Sequence, residues 1–250
     1  MSLQQVIQRF AQGLSIVFHP IFIPMAMAYI ILETSPFRYP IGDYRFIVPL
    51  LLTGIFTIIY PIFMLLICRG LGLVKSVDLS ERRDRIVPYI ATSSFIFWAY
   101  FMMRKGSDPV IGQIDILTYH NPLFEAMYLG VFFTLVLLLL CTLFWKVSAH
   151  SASSVALVLL VYHVAPYSNE SVLPWFIASI LIAGFSAASR LYVKAHSIEQ
   201  VIAGWFLGIV GMSLGFYWVF DLAIWLKGTD KQGNRPRGHW WAFFLFKQAC

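Results

Sequence analysis

The stretch Ser189-Arg190-Leu191-Tyr192-Val193-Lys194-Ala195-His196-Ser197-Ile198-Glu199-Gln200 decides how this chain is read. It is a polar interruption between two apolar runs, 172–189 and 198–226. Arg and His are costly at a membrane boundary and are kept there mainly for function. His196 and Gln200 are four apart, so on a helix they share a face. Gly204 and Gly208 continue that face, and Gly211 and Gly215 follow close to it. Stripes of small residues pack membrane helices closely, so His196 and Gln200 are expected to point into a bundle rather than at lipid. Arg190, at the end of the preceding segment, reaches the same place from the facing helix.

Composition agrees with a membrane setting. The 250 residues are 59% hydrophobic and 12% charged, with mean hydropathy +0.75, whereas soluble domains carry about 25% charged residues. The expected fold class is all-α, a polytopic helical membrane protein of about six to seven transmembrane segments forming a single domain over 1–250. Seven apolar runs are candidates: 14–32, 46–67, 86–103, 123–145, 151–167, 172–189 and 198–226. Ala26-Met27-Ala28 mimics a signal-peptide cleavage site, but the run continues to Leu32 and is interrupted by His19, Pro20 and Pro24, which favours a retained anchor helix. Cys68, Cys141 and Cys250 have no metal or disulfide spacing and read as packing or passive residues; no metal and no cofactor are expected. Nucleic acid is not an expected partner.

If every run spans, parity brings three polar islands to one membrane face: 75–85, 146–151 and 189–196. The Lys and Arg residues divide equally, with nine on each side. Setting aside Lys75, Arg82 and Arg190 as held by a site leaves six against nine. The rule that cytoplasmic loops are the more positive ones then puts the basic, aromatic tail 227–250 inside and the islands outside. The expected location is a bacterial inner membrane with the site on the periplasmic face.

The islands share a chemistry. In the first, Asp78, Ser80 and Glu81 have N-capping spacing, and Lys75 and Arg82 would approach one pocket around a helix start. A mobile ammonium and a planar guanidinium suit a phosphate, although a basic loop touching lipid headgroups has the same composition. In the second, Ser148 can donate to a phosphate oxygen and His150 can protonate a leaving alkoxide, where an interfacial histidine above a capped helix is the competing reading. His196 in the third is the candidate nucleophile. His19, His120, His163 and His239 lack partners at ligand spacing and read as packing or interfacial residues.

Together the islands resemble the three-part signature of the type 2 phosphatidic acid phosphatase superfamily, which shares its helical core with vanadium haloperoxidases. Lys75 and Arg82 fit the first part, with Arg83 where the family has proline. Val147-Ser148-Ala149-His150 fits the second, and Ser189, Arg190 and His196 fit the third at full spacing. Gln200 stands where the family has aspartate. The resemblance covers about residues 70–215. It implies a lipid phosphatase in which His196 attacks phosphorus, His150 protonates the leaving oxygen, and Lys75, Arg82, Ser148 and Arg190 hold the phosphate. Gln200 would orient His196 without supplying charge. The expected substrate is an amphiphilic lipid mono- or diphosphate: isoprenyl diphosphate, phosphatidate, phosphatidylglycerol phosphate or a lipid A type. A lipid phospho- or headgroup-transferase on the same fold, or a decayed lipid-binding or transport protein, are the alternatives.

Overall fold

The structure is a computed structural model that describes residues 2–35, 40–75, 81–105 and 121–222. The basic tail 227–250, Asp78, Ser80, His120, His239 and Cys250 lie outside the described residues. Every regular element among the described residues is helical. Six helices are long and apolar enough to cross a membrane: Tyr44–Gly70, Arg83–Arg104, Pro122–Phe144, Ala149–Tyr167, Leu173–Tyr192 and Ile198–Asp221. Large apolar side chains such as Phe63, Leu173, Ile198 and Phe206 face outward, as lipid-facing surfaces require.

The run 14–32 is not a span. It breaks into the end of α1 (Leu3–Val17) and most of α2 (Ile23–Thr34), joined by a turn through His19 and Pro20. Proline lacks the N–H that would continue α1, and Pro24 sits in the first turn of α2, where its missing donor costs nothing. With 12 residues, α2 is about 18 Å long, well short of a crossing. Met27, Ala28, Ile31 and Leu32 bury it within the bundle against the helix Ala149–Val164, whereas α1 exposes Leu3, Phe10, Ile16 and Val17 and packs on the helix Leu173–Tyr192 through Ala11 and Ser15.

The first span joins α3 (Tyr44–Gly54) to α4 (Tyr60–Gly70) through a π-helical turn at Ile55–Ile59. Pro49 and Pro61 each remove a ladder donor, and the Thr53 and Thr57 hydroxyls donate to the carbonyls of Pro49 and Thr53 at 2.7 and 2.8 Å. The remaining spans are α5 (Ile86–Lys105), α6 (Pro122–Phe144), α7 (Ala149–Val164), α8 (Leu173–Tyr192) and α9 (Ile198–Tyr217).

Helix α9 is the hinge of the packing, and its glycines are the reason. A Cβ at Gly204 would lie 2.5 Å from the Ser148 carbonyl oxygen, and one at Gly208 2.2 Å from that of Ala152, both at the start of α7. Gly211 and Gly215 make the same close approach to Thr134 and Gly130 on α6. The glycine face therefore locks the start of α9 against the start of α7, and so sets where His196 and His150 sit relative to each other.

Candidate active site

The first island divides its cations. Arg82 leaves the bundle interior and donates to the carbonyls of Thr142, at 2.8 Å, and Leu143, capping the otherwise orphaned C-terminus of α6. Lys75 is exposed and pairs with Glu81 at 3.1 Å. Neither lines the cavity described below. Arg85, three residues on and at the threshold of α5, is buried and donates to the Val147 carbonyl at 3.2 Å. It is the cation of this island that faces the other two.

The second island runs extended from Trp145 to Ser148 and then starts α7. Ser148 is fully buried; its Oγ accepts from the Ser151 backbone N–H at 3.3 Å and from the Ser151 hydroxyl at 2.9 Å, the geometry of an N-cap. Its own N–H donates to the Gln200 carbonyl at 3.2 Å, tying this island to the third. His150 lies in the first turn of α7. Its Nε2 is 3.1 Å from the Ser15 carbonyl, an acceptor only, so Nε2 carries the proton.

In the third island, Lys194 adopts a positive φ of 53°, which ends α8 and turns the chain back so that His196 faces the bundle. His196 Nδ1 is 2.9 Å from Gln200 Oε1. That same oxygen accepts from the Ser197 backbone N–H at 3.4 Å. A backbone donor can meet only the oxygen of the amide, so the orientation of Gln200 is fixed, and with it the proton on Nδ1. Nε2 is left as the nitrogen with the free lone pair. Burial, and secondarily the charges of Arg85, Arg190 and Lys146, push the imidazole down to about 4, against the opposing effect of Gln200. His196 is thus neutral at pH 7. Lys146 is likewise held below its ordinary value, by desolvation first and then by Arg85 and Arg190. Three cations crowd one place, and an anion would relieve their repulsion.

Arg190 projects from the last turn of α8. Its Nη1 donates to the Ser15 hydroxyl at 2.6 Å, while its Nε is buried with no hydrogen-bond partner. A buried guanidinium N–H without an acceptor is costly and marks a place for one. Arg85, His150, Arg190 and His196 line one end of a cavity of about 230 Å³. No carboxylate lines it among the described residues. The cavity then descends between Met27, Ile62, Leu65, Ile96, Val131 and Leu135. From Arg85 to Ile96 along α5 is about 16 Å, half the thickness of a hydrocarbon core.

Of the residues expected from sequence, the structure brings together Ser148, His150, Arg190, His196 and Gln200, and leaves Lys75 and Arg82 outside. It adds Arg85, Lys146, Ser15 and His19. For Arg85 a signal existed: it lies three residues after Arg82 and next to the apolar run, but the Lys-to-Arg spacing of the first motif selects Arg82. For Ser15 and His19 there was none, because their partners lie more than 130 residues away. His163, by contrast, stacks on Phe216 at 4.6 Å, away from the cavity.

Comparison with known families aligns the profile of the PAP2 superfamily with residues 90–224. That span includes the second and third islands and begins after the first. Neither curated proteins nor solved structures return a match.

Proposed function

The chain belongs to the PAP2 superfamily, and from that premise we propose that it is an integral-membrane lipid phosphatase acting through a phosphohistidine on His196. Superfamily membership carries phosphatase-type chemistry on phosphorylated substrates. The observation supporting a lipid is the cavity itself, with a cationic, donor-rich end continuous with an apolar one. A phosphorylated headgroup suits the first and a hydrocarbon chain the second. A soluble phosphate ester would leave the apolar end unfilled.

The reaction follows from the protonation states. Nε2 of neutral His196 attacks phosphorus in line; the N–P bond forms as the P–O bond to the lipid breaks. His150, as the imidazolium held beside the bound phosphate, gives its Nε2 proton to the departing oxygen, releasing the Ser15 carbonyl and becoming neutral. Gln200 keeps the Nδ1 proton in place while His196 gains positive charge. Water then attacks the phosphohistidine with His150 as base, returning both histidines to their first state. Arg85, Arg190 and Lys146 supply the positive charge that the equatorial oxygens need, the kind of preorganised stabilisation that dominates such transfers.

The test is turnover of a panel of lipid mono- and diphosphates by purified protein in detergent, with soluble phosphate esters alongside. Orthophosphate release from lipids at least tenfold faster than from soluble esters supports the reading. Phosphate appearing on a second lipid rather than in solution would instead make the protein a transferase. No release from any of them would sink the phosphatase.

The first island gives a sharper prediction. Arg85→Ala should lower kcat/KM by about 10²–10³, the worth of one preorganised donor, while Lys75→Ala stays within about threefold because an exposed pair contributes little. Equal losses in the two variants would mean that Lys75 moves into the site. The same cation distribution supports a site on the outer face: leaving out Arg9, which precedes the run that does not span, and removing Arg85, Lys146 and Arg190 leaves five against nine. A cysteine at Lys194 should therefore react with an impermeant maleimide in whole cells; protection there with reaction in inverted vesicles would reverse the orientation.

A further inference from the structure

The N-terminal turn between α1 and α2 lies outside the matched region and adds a residue to the site. His19 sits at the rim of the cavity beside His150, their ring centroids 5.1 Å apart and their planes edge to face. The backbone N–H of Ile21 donates to its Nδ1 at 3.3 Å. An imidazole that accepts there carries its proton on Nε2 and is neutral. The ring is thus a single hydrogen-bond donor in the cavity lining. It stands next to the group assigned to protonate the leaving oxygen, and Pro20, Ile21, Ile23 and Pro24 continue the same wall into the apolar part of the cavity.

With His150 as the acid of the proposed reaction, the atoms within its reach on this side are those of the leaving group. A lipid monophosphate places one ester oxygen there, followed by carbon. A lipid diphosphate places a whole phosphate, with additional oxygens that a second donor can take. We propose that His19 is a specificity-determining residue that favours lipid diphosphates over monophosphates by donating its Nε2–H to the phosphate of the leaving group. In that reaction the His196 Nε2–P bond forms and the bond from the attacked phosphorus to the bridging oxygen breaks. The electron pair leaves on the lipid monophosphate, which takes the His150 proton while His19 holds one of its other oxygens. The inference rests on the phosphatase reading above, and its test is arranged to stand apart from it.

His19→Asn is the informative variant. Asparagine accepts from the N–H two residues on, so the turn is kept, but its shorter side chain withdraws the donor from the rim. The first measurement needs no turnover: binding of inorganic diphosphate and of orthophosphate to the full-length protein in detergent, by calorimetry. Wild type should bind diphosphate more tightly, and His19→Asn should weaken that binding roughly tenfold, the size of one hydrogen bond, with orthophosphate within about twofold. The second is kcat/KM on a diphosphate and a monophosphate of the same chain, where the ratio should fall by about tenfold in the variant. An unchanged ratio in both measurements, or equal loss for both anions, would overturn the proposal and leave His19 as a turn residue. His19→Phe, which keeps the ring and removes both nitrogens, should reproduce the loss of preference. Failure of the parent reading has a different signature, namely lipid phosphate turnover that survives His196→Ala.

Discussion

His196→Ala should abolish orthophosphate release from a lipid phosphate, with a loss of about 10⁵–10⁶ in kcat, the scale seen when a covalent nucleophile is removed. The size follows from the uniqueness of the nitrogen. The Gln200 amide pins the proton to Nδ1, and burial together with neighbouring cations holds the ring neutral with its pKa near 4. At pH 7 essentially every molecule presents a deprotonated Nε2, and among the described residues no other side chain at the cationic end combines a free lone pair with that position. His150 is engaged through Nε2–H with Ser15 and cannot substitute without giving up the acid role proposed for it. Two measurements check this: steady-state phosphate release, and brief incubation with substrate labelled at phosphorus followed by alkaline denaturation. Wild type should retain an alkali-stable, acid-labile label and the variant none. Release within tenfold of wild type in the variant would remove the phosphohistidine step.

Gln200 carries the second large effect, and its series separates orientation from charge. Gln200→Leu removes the acceptor for Nδ1–H, frees the tautomer and lets the ring turn. A loss of about 10³–10⁴ in kcat is expected, by analogy with the tautomer error made when the orienting residue of a serine protease triad is altered. It also removes the partner of the Ser197 N–H at the start of α9, worth about 1 kcal/mol of stability. Gln200→Asp is the more telling variant. Gln200 already raises the His196 pKa against the larger depression from burial; a carboxylate there would raise it further, by about 1–3 units.

The sign follows. Neutral imidazole is the reactive form, so activity is lost as pH falls through the His196 pKa. In wild type that limb lies near pH 4, below most of the working range. In Gln200→Asp it should move upward by about 1–3 units, with kcat/KM falling below about pH 5–7 where wild type is still active. Measuring both proteins on one substrate removes the substrate's own titration from the comparison. Superimposable acid limbs would mean that position 200 does not govern His196. A wild type without turnover that gains it only in Gln200→Asp would identify a decayed site.

Much of the site was legible because its key pairs are local. His196 and Gln200 meet because Gln200, at the third position of α9, folds its side-chain oxygen back over the N-cap Ser197 to the residue just before it; His196 itself precedes the helix rather than lying on it, and Arg190 ends the helix before them. Ser148 caps α7 because a serine before an apolar run accepts the free N–H groups of a first turn. The glycine stripe announced a close approach of backbones, and α9 makes that approach to α6 and α7. The arginine cluster 82–85 could not be resolved in the same way. Which member turns inward depends on the open carbonyls at the end of α6, and Thr142 and Leu143 take Arg82 and leave Arg85 for the cavity.

The sequence by itself determined the membrane setting, the order of the spans and the gathering of three polar islands at one face, because hydropathy and helical period are properties of neighbours along the chain. Tertiary structure decided the rest. It broke the first apolar run at His19-Pro20, folded that turn over the cavity, and set Ser15 against both His150 and Arg190. No periodicity records a contact across 135 or 175 residues. Such a contact exists only once the helices have packed, and here the packing surface is the glycine face that runs on from His196 and Gln200.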